Sequence, residues 1–171
     1  MDTYSEQLVS RPSTGADKAK KLLISFAAIL IASVLMFLSI IFAAYSLILL
    51  VFVVLGGGVY IASNMDVEYE YIITNNEMDI DKIIGRRKRK RMVTLELSCA
   101  EAFAAYPPAE DISADVTVHA TTGYEKNAAY MVVQHNTYGK VMLIFNPNEK
   151  TREAIMQEIP NQLRIKIKHN A

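Results

Sequence analysis

The amino-acid sequence predicts an α+β membrane protein, in which an N-terminal two-helix transmembrane hairpin precedes an antiparallel β-domain with a helix near its end. Two observations predict this class. The 41 residues from Leu22 to Ala62 contain no charged residue and no proline. The residues from 66 to 171 form short runs in which apolar and polar side chains alternate, separated by turn residues. Such alternation is typical of an antiparallel sheet.

The apolar segment is too long for one span. A transmembrane helix needs about 20 apolar residues, whereas 41 helical residues would extend roughly 60 Å, about twice the hydrocarbon thickness. We therefore predict a hairpin over 22–63, with spans at about 22–41 and 45–63. A secretory signal has an apolar region of only about 7–15 residues, and a buried soluble hairpin would show a polar stripe on each helix. Both alternatives fit this segment less well.

Small residues predict where the two spans touch. Helices in lipid associate through close packing, which small side chains allow. If the turn centres on Ala43, Gly57 lies opposite about residue 29. The predicted helix–helix contact is formed by Gly56, Gly57 and Gly58 against Ala28 and Ala32. The alternative is that the glycines only loosen the end of the second span.

Basic residues predict the orientation. Lys18, Lys20 and Lys21 precede the first span, and the run Arg86–Arg91 follows the second span on the same side. The positive-inside rule therefore places both termini in the cytoplasm, for a multi-pass protein of the cell (plasma) membrane. The single cysteine, Cys99, fits a reducing compartment. We predict that residues 1–21 form a flexible cytoplasmic tail, because chain ends usually fray.

The β-domain is predicted to occupy 66–171. Three strands at 67–74, 77–84 and 87–98 should form an antiparallel meander, with turns at Asn75-Asn76 and Gly85-Arg86. The alanine-rich residues 99–106 suggest two helical turns. Further strands are predicted at 115–120, 128–134 and 140–145.

The end of the domain carries a helix signal. Asn146 can cap a helix, Pro147 suits the first helical position, and Glu149 occupies the acidic position of a capping box. This helix should end at about Ile159, and the alternating residues 163–168 indicate a short final strand. A bent sheet or open barrel with a helix at one end would close such a core.

Several segments resemble a known family. The two spans, the stretch Tyr71–Ile80 and the basic strand Arg87–Leu97 resemble bacterial membrane-anchored pleckstrin-homology-like domains. Together with Thr3–Val9 and Asp79–Ile83, they resemble an uncharacterised family of small two-span proteins of Gram-positive bacteria, over nearly the whole chain. The resemblance implies a strongly curved sheet capped by a C-terminal helix. It implies no activity and no site residues.

The basic run is the most conspicuous functional signal. Its six residues are candidates for contact with anionic lipid head groups: Arg86, Arg87, Lys88, Arg89, Lys90 and Arg91. Each basic residue near an anionic surface contributes about 1 kcal/mol. Two alternatives remain open. The run could pair with carboxylates across the sheet, with Asp81 opposite about Lys90 and Asp79 nearby, or it could only fix the topology.

Other functions lack support in the sequence. The spans contain no ionisable side chain except two tyrosines near their ends, which argues against ion transport. The spacing of the three histidines and the cysteine fits no metal motif, and no catalytic constellation or cofactor motif is present. A net charge of zero does not favour nucleic acid. We therefore expect a non-enzymatic interaction or scaffold module without a cofactor, which binds an unknown protein partner, or alternatively an accessory subunit of a larger membrane complex.

Overall fold

The computed structural model describes residues 3–10, 13–109, 111–121, 123 and 127–169. The chain folds into two compact units, a helical unit and a β-domain. The strands are β1 (Tyr4–Ser10), β2 (Val67–Thr74), β3 (Glu77–Ile84), β4 (Lys88–Glu96), β5 (Ala100–Ala105), β6 (Val116–Ala120), β7 (Ala129–His135) and β8 (Gly139–Phe145). The helices are α1 (Gly15–Ile41), α2 (Leu47–Ser63), α3 (Glu149–Glu158) and α4 (Asn161–His169).

The helical unit is a hairpin of α1 and α2. A capping box between Thr14 and Asp17 starts α1, which begins seven residues before the apolar segment. Among the described residues, α1 is the helix that is long and apolar enough to cross a membrane, with 27 residues and a mean hydropathy of 2.7 over its most apolar stretch. The second helix is apolar but has only 17 residues.

The contact between the two helices involves one glycine of the predicted three. A Cβ atom on Gly58 would lie 2.8 Å from the Cβ of Ala28, so the glycine permits this close approach. Ala32, on the same helix as Ala28, is buried. A Cβ atom on Gly56 or Gly57 would meet no atom of α1 within 4 Å. The prediction that these two glycines pack against α1 is therefore wrong.

In the described residues, the β-domain contains two four-stranded sheets. The first has the strand order β1-β2-β3-β4 and the second β5-β7-β8-β6. β1 runs antiparallel to β2, as β7 does to both β5 and β8, whereas β6 runs parallel to β8. The core contains side chains of both sheets and of α3, among them Tyr71, Ile73, Leu95, Leu143, Phe145 and Ile155, all fully buried.

Tyr71 connects three parts of this domain. Its hydroxyl group donates a hydrogen bond to the carbonyl oxygen of Ala120 on β6. It also accepts one from the backbone N–H of Asn146, 3.3 Å away, before α3. Its ring packs edge-on against Phe145. Burial raises the pKa of Tyr71, the bond from Asn146 partly opposing this, so the hydroxyl stays a donor.

The predicted flexible tail over 1–21 is wrong within the described residues. Residues 4–10 form β1, which pairs with β2 over its whole length, and residues 15–21 belong to α1. Gln7 holds β1 to the start of α3. Its side chain donates to the carbonyl oxygen of Asn146 (2.8 Å) and accepts from Asn148 N and Thr151 Oγ1 (both 2.8 Å). These long-range bonds, which local sequence does not display, order the chain end.

Three further local predictions are wrong. The alanine-rich residues 100–105 form a strand instead of a helix, because pairing with β7 outweighs alanine's helix propensity. Residues 161–169 form a helix instead of a strand, with Leu163 and Ile167, four residues apart, packed against the core. The helix cap of α3 is Asn148, which accepts from Thr151 N at 2.8 Å, and not Asn146.

Candidate membrane-contact site

The turn between β3 and β4 has the geometry of a tight hairpin. Gly85 and Arg86 both have positive φ angles, 59° and 56°. Two consecutive positive φ angles are the signature of the turn whose twist matches that of an antiparallel strand pair. The predicted turn at Gly85-Arg86 is therefore confirmed, and the basic run begins inside it.

Within the helical unit, this turn lies against the end of α2. The backbone N–H of Gly85 donates to the carbonyl oxygen of Asp66 at 2.8 Å. A Cβ on Gly85 would lie 2.9 Å from Asn64 Oδ1 and 3.1 Å from Ser63 O. A larger residue would thus be excluded by both the backbone conformation and the close contact.

An ion pair joins the start of the apolar segment to its end. Lys21 Nζ lies 2.6 Å from Asp66 Oδ1, and both side chains are partly exposed. Asp66 therefore binds Lys21 of α1 through its side chain and Gly85 of the turn through its backbone. The polar ends of both helices and Gly85, the residue before the basic run, therefore meet at this point.

Two of the six basic residues form ion pairs inside the first sheet. Arg89 Nη2 lies 2.9 and 2.7 Å from the two carboxylate oxygens of Glu70. Arg91 lies 2.5 Å from Asp81 Oδ1 and 2.5 Å from Asp79 Oδ1. The cross-strand alternative thus holds for these two arginines, but Asp81 contacts Arg91 and not Lys90.

Burial makes an unpaired charge costly in this cluster. Glu70 and Asp81 are almost fully buried, at 5% and 2% exposure. Burial raises the pKa of Glu70, and the positive charge of Arg89 opposes this. The hydrogen bond to Asp81 raises the pKa of the Arg91 guanidinium above its ordinary value. Because buried carboxylates need paired charges, Arg89 and Arg91 are structural partners of the sheet.

The two lysines of the strand differ from the arginines. Lys88 and Lys90 are exposed and alternate with Arg89 and Arg91, so they point to the other face of β4. In the described part of the chain, neither lysine is paired with a carboxylate. Arg87 is also exposed.

Three further lysines, which the sequence assigned only to topology, lie in the helical unit. Lys18, Lys20 and Lys21 belong to the first turns of α1, immediately before the apolar segment. Glu70, which binds Arg89, was missed altogether. Its position in the strand β2 could have indicated it, because Glu70 is adjacent to Tyr71 and therefore points to the opposite face of the sheet. No group of three or more potential metal ligands occurs among the described residues.

Largely antiparallel sheets followed by helices at the C-terminal end are the arrangement of a PH-like domain. The chain belongs to the family described as bacterial PH-like domain (DUF6106), whose model matches residues 1–165. The match includes β1 and both helices of the hairpin. Comparison with curated proteins and with solved structures gave no match.

Proposed function

We propose that this chain is a non-enzymatic, two-span membrane protein that presents its PH-like domain to the cytoplasm as an interaction module. We further propose that the basic run Arg86–Arg91 contacts anionic lipid. The observation that carries the even number of spans is the pairing of β1 with β2. These strands flank the helical hairpin in sequence, yet they lie in one sheet. The segment between them must therefore cross a membrane an even number of times.

The dimensions of the helices support two crossings. The apolar part of α1, residues 22–41, has 20 residues and a length of about 30 Å, which equals the hydrocarbon thickness. The 17 residues of α2 extend about 26 Å, a deficit that local thinning of the bilayer accommodates. Side chains such as Leu49 and Phe52 are about 70% exposed in the hairpin. Apolar surface of this extent is stable in lipid and costly in water.

The position of the β3–β4 turn supports contact with lipid head groups. The basic run starts at the turn that packs against Ser63 and Asn64, where the apolar helix α2 ends. Because the buried carboxylates hold Arg89 and Arg91, we assign the lipid contact to the two lysines of the strand, Lys88 and Lys90, which are exposed. Lys18 and Lys20 of α1 add positive charge at the same end of the hairpin.

A photocrosslinking experiment on the full chain tests the lipid contact. The protein is inserted into neutral phosphatidylcholine nanodiscs that contain a small fraction of a head-group photoprobe, either anionic phosphatidylglycerol or neutral phosphatidylcholine. We expect the anionic probe to label the peptide around 86–90 more strongly than the neutral probe does. Added salt should reduce this difference, because it screens exposed charges.

Matched double variants on one strand provide the control. Lys88→Gln with Lys90→Gln should reduce labelling by the anionic probe and leave the unfolding temperature nearly unchanged. Arg89→Gln with Arg91→Gln removes the same charge, but it should retain labelling and lower the unfolding temperature, since it leaves buried carboxylates unpaired. Equal labelling by both probes, or unchanged labelling of the lysine variant, would exclude the lipid contact.

One observation favours a second candidate function, an accessory subunit of a larger membrane complex. Gly56 and Gly57 face open space on the surface of the hairpin, where another transmembrane helix would approach closely. Crosslinking in intact membranes followed by mild solubilisation distinguishes the candidates. One stoichiometric membrane partner, lost in Gly57→Leu, would favour the subunit. The absence of such a partner would favour the interaction module.

A further inference from the structure

A groove of about 450 Å³ runs along β5 in the β-domain. One wall is the whole segment from Glu101 to Ala105. The opposite wall is formed by Leu163, Lys166 and Ile167 of α4, and Arg152 of α3 also lines the groove. The groove is distinct from the basic turn, and nothing in the membrane proposal depends on it.

The groove follows the open edge of a sheet. Among the described strands, β5 is the end strand of the second sheet and pairs with β7. The N–H of Tyr106 donates to Ala128 O at 2.9 Å, and the antiparallel register continues as Ala105 opposite Ala129. Because hydrogen-bonded and non-hydrogen-bonded pairs alternate, the backbone N–H and C=O groups of Ala105 and Phe103 point away from β7.

The side chains that line the groove confirm this position. Phe103 belongs to the core face of β5, whereas Ala104 lies opposite Tyr130 on the other face. Phe103, Ala104 and Tyr130 all line the groove, so the groove passes around the edge of β5 from one face of the sheet to the other. An unpaired edge is a template for another strand. Small alanine side chains leave room beside it.

The charges in the groove favour an acidic occupant. The carboxylate of Glu101 is bound by Lys140 at 2.9 Å. Arg152 lies over the ring of Phe103, 5.9 Å from its centroid. In the described ranges, neither Arg152 nor Lys166 is paired with a carboxylate, and α4 contains no acidic residue.

We infer that this groove binds an extended acidic peptide, which adds a strand to the free edge of β5. Main-chain hydrogen bonds to Phe103 and Ala105 would hold the peptide in register. Alternate side chains of the peptide would reach Arg152 and Lys166 with their carboxylates, and Leu163 and Ile167 with their apolar groups. The partner is thus a protein with an exposed, acidic and extended segment.

The experiment uses the full chain in neutral phosphatidylcholine nanodiscs and a fluorescein-labelled probe, acetyl-Asp-Val-Thr-Val-Asp-Val-Thr-amide. Fluorescence anisotropy should show saturable binding. A peptide with Lys in place of both Asp residues should bind at least about tenfold more weakly, because its charges oppose those of the groove. A peptide N-methylated at alternate residues, on the edge that faces β5, should also lose binding, because it lacks the main-chain donors.

Variants of the chain test the same geometry. Ala105→Pro removes an N–H that points into the groove without removing a bond to β7, so it should weaken binding. Lys166→Glu should weaken binding by about tenfold. Lys168→Glu carries the same charge change on the same helix outside the groove and should leave binding unchanged. Absence of saturable binding, equal binding of the N-methylated peptide, or equal effects of the two lysine variants would overturn the inference.

Discussion

Adjacent basic residues on β4 have different physical roles. Arg89 and Arg91 contact buried carboxylates on β2 and β3, whereas Lys88 and Lys90 are paired with no carboxylate among the described residues. The alternation of side chains along a strand separates the two sets. Arginine also suits the paired positions, because its planar group bonds a carboxylate through two nitrogens and is weakly hydrated. A count of basic residues therefore overstates the charge available to a lipid surface.

The ionisation of Glu70 gives a pH-dependent prediction. Burial raises its pKa above the ordinary value of 4.5, with Arg89 opposing. The folded state thus binds the proton more tightly than the unfolded state does. Glu70 contributes stability below its unfolded pKa, and this contribution is lost as pH rises through its folded pKa. Relative to wild type, Glu70→Gln should therefore gain stability as pH is raised from about 4 to about 7.

Thermal unfolding of both proteins in neutral nanodiscs, followed by tyrosine fluorescence across this pH range, measures the difference. Glu153→Gln, at an exposed position of α3, is the matched control for the change of charge. A difference that moves in favour of wild type with rising pH would mean that Arg89 outweighs burial at this site.

At the scale of elements, the sequence predicts those parts whose pattern is local. β2, β3 and β4, the strands β6 to β8, helix α3 and the helical hairpin all follow from alternation, turn residues or apolar length. The two-residue turn at Asn75-Asn76 and the turn at Gly85-Arg86 fix the register of the first meander. These features depend on neighbours in the chain.

The elements that were not predicted depend on distant partners. β1 is ordered by pairing with β2 and by Gln7, which bonds residues about 140 positions away. β5 becomes a strand because β7 pairs with it. In α4, Leu163, Ile165 and Ile167 fit a strand and a helix equally. Ile165 is 69% exposed, whereas Leu163 and Ile167 pack against the core. This separation is expected for a helix, because a strand would place all three side chains on one face.

The glycines of α2 allow a test of the helix–helix contact. Gly58→Leu should separate α1 from α2, because even a Cβ would come within 2.8 Å of Ala28. Gly57→Leu, the adjacent position with open space, is the matched control and should retain the packing. Disulfide trapping between cysteines placed at Ile24 and Ala62, in a background where the native cysteine is replaced by serine, compares the variants. Equal trapping in both would contradict the assigned contact.

At the scale of the whole molecule, the hairpin is an insertion in a sheet. β1 precedes α1, β2 follows α2, and the two strands pair over seven residues. The family match from residue 1 to residue 165 includes both the strands and the hairpin. Removing residues 1–65 to obtain a soluble domain would therefore delete β1 and expose the edge of β2, which favours aggregation. Assays of the lipid contact need the full chain.

The proposed topology predicts which parts of the chain are accessible from outside the cell. Ser46 lies in the exposed connection before α2, and Cys99 is an exposed free cysteine after β4. With two spans and both termini in the cytoplasm, a membrane-impermeant maleimide should label Ser46→Cys in intact cells, in a Cys99→Ser background. It should label native Cys99 only after permeabilisation. Labelling of Cys99 in intact cells would reverse the orientation. If both cysteines react only after permeabilisation, the hairpin does not reach the outer surface. The chain then crosses the membrane zero times, which the β1–β2 pairing also allows, and the two-span proposal is wrong.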